Sequence, residues 1–381
     1  MPAHCRAPVT PRDSTIVSVD VHPLDAAMNE PFVIAGGEAA AVRNVIVRLR
    51  LASGTVGYGE GAPLPAYNGE TQSGTLRDAR AASAGMLGGD AAAWRCRLEE
   101  LEARLPSSGA ARAALGMALL DAWTRHAGIP LRALFGGAEA AVRTDITVSL
   151  VPPDEARLAA RRIKARGVRT IKIKVGQGLE PDEARVRAVA GAARGLRLML
   201  DANQGYGPEQ SLRLLGRLRR SGIVPVLFEQ PAAAQDYAGL RAVAARGGVP
   251  VAADESASSR TAVLRLVRER AAQVVNIKLM KCGILEAWDI AAIARSAGLE
   301  LMIGGNIESS LAMTAAAHFA AGLGGFTFVD LDTPLWFSRD PMTGMRLGPG
   351  GVYDLSGVKA GIGVRPGDFA RLTSLRKCSS A

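Results

Sequence analysis

From Thr144 to Asp330 one pattern repeats eight times: a short apolar strand, then an Ala-, Arg- and Leu-rich stretch with helical spacing. Strands are predicted at 145–150, 170–175, 196–201, 226–229, 249–254, 274–279, 300–304 and 326–330. Parallel strands need crossover connections, and eight βα units without hairpin turns point to a closed parallel barrel of ~250 residues. A chain of 381 residues then has room for a second, smaller domain. Residues 15–60 read as strands, clearest in the alternation VRNVIVRLRL (42–51) before a Ser53-Gly54 turn. Residues 72–127 take the helical period, and 111–127 read as an amphipathic helix. The fold class is therefore α/β: an N-terminal α+β capping domain (1–140) and a (β/α)8 TIM-like barrel (141–335). A Gly-rich C-terminal segment (336–381) is expected to pack back on the capping domain and complete it.

The net charge of +10 raises the question of nucleic acid. Lys supplies only seven of the 46 basic residues, and the arginines interleave with acidic residues along helical stretches, as at Arg161-Arg162 and 265–270. That is the pattern of solvated helix faces, not of a polyanion-binding patch. Cys5, Cys96, Cys282 and Cys378 show no C-x-x-C spacing, which argues against a disulfide framework or a zinc site. His4, His22, His126 and His318 are equally dispersed. No run reaches the about 18 apolar residues of a membrane span. The first twenty residues, with Arg6, Arg12 and Asp13, lack the apolar core of a secretory signal. A cytoplasmic protein without membrane or nucleic-acid partners is expected.

Reactive groups of a βα barrel sit at the C-terminal ends of its strands. Here those ends carry Lys172 and Lys174, Asp201, Glu229, Asp254, Lys278, Asn306 and Glu308, then Asp330 and Asp332. Ionisable groups closing apolar strands are costly unless paired or metal-bound. Asp201, Glu229 and Asp254 close adjacent strands, so their oxygens should converge and repel unless a cation sits among them. An all-oxygen set suits Mg2+ better than Zn2+; taken singly, each could be a helix cap. Lys172 and Lys174, two apart, point to the same side of their strand, and Lys278 ends a strand across the barrel. Beside a metal and other cations such amines are expected to lose their protons more readily. The structural alternative is a buried ion pair with the carboxylates. Two bases on opposite faces of a metal-held carboxylate perform a 1,1-proton transfer at the α-carbon, although a dehydratase or cycloisomerase can use the same groups.

The strings TIKIKVG (170–176), LDANQGY (200–206), FEQP (228–231), ADES (253–256) and NIKLMKCG (276–283) resemble the enolase superfamily, in its muconate-lactonizing-enzyme subgroup. GYGEGAP (57–63), NGET (68–71), ALLDAW (118–123) and LFGG (134–137) extend the resemblance to the capping domain, over 15–365 in all. It implies one Mg2+ held by Asp201, Glu229 and Asp254, and Lys174 and Lys278 as the acid/base pair. Lys172 and Thr147 would contact substrate, and Asn306 and Glu308 are expected to join them. Asp330-Leu331-Asp332 is similar to the D-x-D with which dipeptide epimerases bind a free α-ammonium. N-acylamino acid racemases and muconate cycloisomerases are disfavoured by it, and the structural alternative is an Asx turn before Pro334.

The sequence departs from the family pattern in three places. Asn306 stands where a Met- or Cys-like residue is expected, and Ile284 where a second Gly is usual. The stretch 22–37, expected as a loop over the site, has no Arg or Lys, whereas Ala-Glu epimerases are expected to carry a basic residue there. Leu24, Met28 and Phe32 favour an apolar substrate side chain, while Asp25 and Glu30 leave a cationic one open. The resulting expectation is Mg2+-assisted epimerisation at the C-terminal residue of a dipeptide with a hydrophobic or other non-acidic side chain. The partners expected are that dipeptide and further copies of the chain in a homo-oligomer. A non-catalytic small-molecule-binding barrel is the reading from another class; lysines on both faces argue against it, because binding alone needs neither base.

Overall fold

The apolar alternation of the first segment forms an antiparallel meander, β1 (Ile16–Ile34), β2 (Gly37–Leu51) and β3 (Val56–Gly61). The computed structural model describes residues 13–370, so His4, Cys5, Arg6 and Arg12 and the C-terminal Cys378 lie outside the described residues. The stretch 22–37 is not a loop. It is the outer half of the β1–β2 hairpin, which is paired from Ile16↔Leu51 out to Ile34↔Gly37 with irregularities between Ile16 and Ser18 and between Ala27 and Phe32.

Five helices follow: α1 (Pro65–Asn68), α2 (Gln72–Ser83), α3 (Trp94–Arg104), α4 (Gly109–His126) and α5 (Leu131–Leu134). The amphipathic reading of α4 is corrected here, since every residue from Gly109 to Ala122 is buried. The helix lies against β2 and β3 on one side and α2 and α3 on others. Its seam with β3 is made of missing side chains. Gly57, Gly59 and Gly61 share one strand face. A Cβ on Gly59 would lie 2.0 Å from the Ala114 carbonyl oxygen, one on Gly57 2.2 Å from the Ala122 nitrogen, and one on Gly61 2.5 Å from the Ala110 carbonyl oxygen. The facing alanines recur every four residues, so the helix backbone along that row lies directly on strand backbone.

A short strand, β4 (Ala141–Arg143), leads into the barrel strands. These are β5 (Ile146–Val148), β6 (Thr170–Lys174), β7 (Arg197–Asp201), β8 (Leu227–Glu229), β9 (Val251–Ala253), β10 (Val274–Lys278), β11 (Glu300–Gly304) and β12 (Phe326–Val329). They form one parallel sheet in sequence order. The helices between them are α6 (Pro153–Ala165), α7 (Leu179–Ala192), α8 (Pro208–Arg220), α9 (Tyr237–Arg246), α10 (Arg260–Glu269), α11 (Leu279–Cys282), α12 (Ile284–Ser296) and α13 (Ser310–Leu323). The eighth strand is followed by the 3-10 turn Thr333–Trp336 in place of a long helix.

Closure between β12 and β5 is partly a side-chain affair. The Asp145 N–H donates to the Val329 carbonyl at 2.9 Å, and Thr144 Oγ1 accepts the Leu331 N–H at 2.7 Å. One step higher, the Thr147 N–H donates to Asp332 Oδ2 at 2.7 Å. Met199, Leu227, Ala252, Val274, Met302 and Phe328 form an apolar floor inside the barrel, one inward layer below the polar strand ends.

The C-terminal segment pairs β13 (Met342–Gly344) with β15 (Val364–Pro366), and lays β14 (Val352–Asp354) against β4. It also touches the capping domain. Asp121 Oδ1 accepts the Ile362 N–H at 2.8 Å, and the Leu131 N–H donates to the Gly361 carbonyl at 2.8 Å. His318 on α13 ties these parts together: its Nδ1 accepts the Arg132 N–H, and its Nε2 lies 3.0 Å from the Ile362 carbonyl. Among the described residues no helix is long and apolar enough to cross a membrane.

Candidate active site

The polar strand ends open beneath the hairpin and α1 around a small cavity. The barrel contributes Thr147, Lys172, Lys174, Lys278, Asn306, Asp330 and Asp332 to its wall. The capping domain contributes Phe32 and Ile34 from β1, with Leu64 and Tyr67 at α1. Strand register sets Lys174, Asp201 and Glu229 side by side on β6, β7 and β8. Lys278, on β10, ends the strand four places from β6 in a ring of eight, and so enters from the opposite wall.

The three buried carboxylates share one arrangement: one oxygen is tied to the protein and the other faces the lysines. Asp201 Oδ1 accepts the Asn203 N–H at 2.9 Å. Glu229 Oε1 accepts from Asn276 Nδ2 at 2.7 Å. Asp254 Oδ1 accepts from Tyr67 Oη and Lys281 Nζ, both at 3.0 Å. Of the second oxygens, Asp201 Oδ2 meets Lys174 Nζ at 2.6 Å and Lys172 Nζ at 2.9 Å. Glu229 Oε2 meets Lys172 Nζ at 2.8 Å, and Asp254 Oδ2 meets Lys278 Nζ at 2.8 Å. Glu229 Oε2 and Asp254 Oδ2 are buried and, beyond these ion pairs, accept no hydrogen bond of good geometry. Three hard oxygens aimed inward from adjacent strands, two of them short of donors, fit a divalent cation with oxygen ligands. While Lys172 Nζ lies between them, no three acidic side chains among the described residues are drawn tightly enough to enclose an ion.

The electrostatics follow from this crowding. Burial and then the charge of Asp201 push Glu229 up to about 7. Burial also works upward on Asp201, but Lys172 and Lys174 outweigh it and hold that carboxyl down at about 2. Burial acts to lower Lys278, yet Asp254 and Glu229 overcome it and hold the amine above its ordinary range. Lys172 is also held above its ordinary range against the effect of burial, by Asp201, Asp330 and Glu229.

The D-x-D pair lies at the β12–β5 seam. Asp330 Oδ2 meets Lys172 Nζ at 2.6 Å. Asp332, fixed by the Thr147 N–H, is pushed up to about 6 by burial and then by Asp330. Beside them Asp145 is buried with neither oxygen hydrogen-bonded, and burial with the charges of Asp330 and Asp332 raises it well above the usual carboxylate range.

Glu308 stands outside the cavity wall. Its Oε1 accepts the Asn306 N–H at 2.7 Å, and burial pushes it up to about 8. It supports Asn306, whose Nδ2 donates to the Ala62 carbonyl and whose Oδ1 has no partner. Leu24 is wholly buried in the main core and away from the cavity. Met28 packs in a small cluster with Val42, Ile307 and Phe337, and Asp25 is engaged by Arg43 and Gln72. Of the apolar residues expected along 22–37, Phe32 faces the cavity, together with Ile34 and Leu64, which sequence reasoning missed. Also missed were Asn203, Asn276, Lys281 and Tyr67, the donors that fix the carboxylates. Three of the four sit inside the strings LDANQGY and NIKLMKCG, two or three residues from a strand-end carboxylate or lysine, which was the available signal.

Comparison with known proteins matches residues 16–136 to the mandelate racemase/muconate lactonizing enzyme N-terminal domain and residues 154–369 to the enolase C-terminal domain-like family. The chain is 44% identical to an aromatic dipeptide epimerase of Herpetosiphon aurantiacus, over 92% of this chain and 99% of that one. It is 40% identical to a hydrophobic dipeptide epimerase of Citrifermentans bemidjiense, over 90% and 95% of the two chains. Among solved structures it is similar to a dipeptide epimerase of Enterococcus faecalis complexed with Mg and L-Leu-L-Tyr. That pair has a TM-score of 0.88 and 35% identity, over 92% of this chain and 99% of the other.

Proposed function

This chain is an isomerase of the mandelate racemase/muconate lactonizing enzyme family in the enolase superfamily, and from that premise we propose that it epimerises the C-terminal residue of dipeptides with hydrophobic side chains. The observation that carries the reading is one cavity walled by two opposed lysines and, at the β12–β5 seam, by two carboxylates. The relatives named for aromatic and hydrophobic dipeptides support it.

In this reading Asp201, Glu229 and Asp254 would hold Mg2+. When bound, Mg2+ would supply Lewis-acid stabilisation for the substrate carboxylate. Lys172 supports that carboxylate by charge. Lys174 and Lys278 face the α-carbon from opposite sides: the neutral amine of one takes the proton, and the ammonium of the other returns one to the far face. Asp330 and Asp332 receive the substrate's free ammonium, with Thr147 holding Asp332 in place. Phe32, Ile34 and Leu64 form an apolar wall for the C-terminal side chain, and residues 22–37 supply no Arg or Lys for an acidic one.

The test uses Mg2+-loaded protein and compares L-Ala-L-Phe, its N-acetyl form and L-Ala-L-Glu by kcat/KM for epimerisation. The free hydrophobic dipeptide should be preferred. A charge-assisted contact to the ammonium is worth about 1.5–3 kcal/mol, so Asp330→Asn should lower kcat/KM for L-Ala-L-Phe roughly ten- to a hundredfold. Preference for the N-acetyl compound overturns the dipeptide reading. Preference for L-Ala-L-Glu overturns the hydrophobic assignment alone.

A further inference from the structure

Each of the two opposed lysines lies against one aromatic ring, and both rings come from the capping domain. Lys174 Nζ stands 5.5 Å from the centroid of Phe32, on β1. Lys278 Nζ stands 4.5 Å from the centroid of Tyr67, on α1. Both distances fall within the reach of a cation–π contact. Neither ring is loose. Phe32 makes an edge-on contact with Trp336, with centroids 5.0 Å apart, in the turn that follows β12. Tyr67 Oη donates to Asp254 Oδ1 at 3.0 Å. The two lysines are otherwise held differently. Lys174 has Asp201 and Asn203 Oδ1, and Lys278 has Asp254.

We propose that Phe32 and Tyr67 are positioning residues, one ring for each lysine, that hold the two amines in line with opposite faces of the α-carbon and shield each from water independently of the other. A proton transfer is sensitive to placement, and an error near 1 Å can slow a reaction about a hundredfold. An aliphatic side chain fills much of the space of a ring but offers no quadrupole to an ammonium. The two rings belong to separate segments with separate anchors, so damage to one should leave the other lysine in place. The capping domain then acts on the chemistry itself as well as covering the cavity.

The inference rests on the two-lysine reading above, and two independent measurements on the full-length protein separate their failures. The first is competitive acetylation of lysines with acetic anhydride, without substrate, read by peptide mass spectrometry. Phe32→Leu should raise the reactivity of Lys174 at least threefold and leave Lys278 as in the wild type. Tyr67→Leu should do the reverse, and Tyr67→Phe, which keeps the ring, should leave Lys278 shielded. Similar changes at both lysines, or none at either, overturn the proposal; circular dichroism checks that each variant is folded.

The second measurement is α-proton exchange in D2O by NMR, run separately from L-Ala-L-Phe and L-Ala-D-Phe. Phe32→Leu should slow exchange on the face lost in Lys174→Ala roughly tenfold more than on the other, and Tyr67→Leu should slow the opposite face. An equal loss on both faces overturns it, since that is what weakened binding or a loosened fold produces. Absence of exchange in the wild type together with selective acetylation refutes the epimerase reading and leaves the ring assignment standing.

Discussion

Lowering the pH from 7 to 5 should weaken the fold through His318, far from the cavity. The imidazole is wholly buried, accepts the Arg132 N–H at Nδ1 and meets the Ile362 carbonyl at Nε2. Those two bonds fix a neutral ring that donates from Nε2. Burial is the main reason its pKa falls from 6.5 to about 4. Its folded pKa is thus depressed below the unfolded one, and between the two values the unfolded chain carries the extra proton. Stability from this group is complete above about pH 6.5 and drains away as the pH falls towards 4. The full gap of two and a half pKa units corresponds to roughly 3 kcal/mol, and the part between pH 7 and 5 to roughly 2 kcal/mol.

The raw slope will be blurred by carboxyls of opposite sign. Glu229, Glu255, Glu308 and Asp332 have raised folded pKa values, so the folded state holds their protons longer and gains stability as the pH falls. A comparison with His318→Gln removes that background. The variant should be less stable at pH 7, where it loses a matched pair of hydrogen bonds, but its deficit relative to the wild type should shrink by about 2 kcal/mol at pH 5. Urea unfolding of both proteins at the two pH values measures the difference. An equal deficit at pH 7 and pH 5 would falsify the reasoning.

Removing divalent metal with EDTA should abolish epimerisation, and Mg2+ should restore it; full activity after exhaustive chelation would show that the three carboxylates serve another purpose. Lys174→Ala should cut exchange from one epimer by roughly 10²–10⁴ while exchange from the other persists, with Lys278→Ala inverting the pattern. Wild-type rates from both epimers in either variant would remove that lysine from the chemistry. Gly59→Ala should cost about 1–3 kcal/mol or more, because its Cβ would meet the Ala114 carbonyl oxygen at 2.0 Å and neither backbone can yield cheaply. Gly191→Ala on α7, where nothing lies within 4 Å of the added carbon, is the control and should be neutral or stabilising by up to about 1 kcal/mol in the same urea titration.

The barrel was legible because its strands are apolar runs that end in ionisable residues, a combination that only a strand mouth tolerates. The gathering of Lys172, Lys174, Asp201, Glu229, Asp254 and Lys278 into one cluster follows from that regular spacing. The hairpin was not legible. Residues 22–34 contain Pro23, Asn29 and Pro31, which read as loop, and pairing with 37–46 is what makes them a strand. Nor was the environment of α4, since Ala on a helix is silent about whether it faces water or a glycine strand. Tyr67 was missed for a similar reason: an aromatic in a turn four residues past Pro63 shows its reach only once Asp254 is seen beneath it.

The glycine–alanine seam between β3 and α4 also restricts how the protein can change. Contacts made by large side chains can be retuned, because one can shrink while its partner grows. This seam has nothing to shrink on the strand side and little on the helix side, so exchange there is nearly one-way and adverse. The cap is therefore a fixed frame. Variation in what the cavity accepts has to come from segments hung on that frame and free of it: the far end of the hairpin, with Phe32 and Ile34, and the short turn that carries Leu64 and Tyr67. Libraries aimed at new dipeptides should sample Ile34 and Leu64, keep the rings of Phe32 and Tyr67, and leave the three glycines alone.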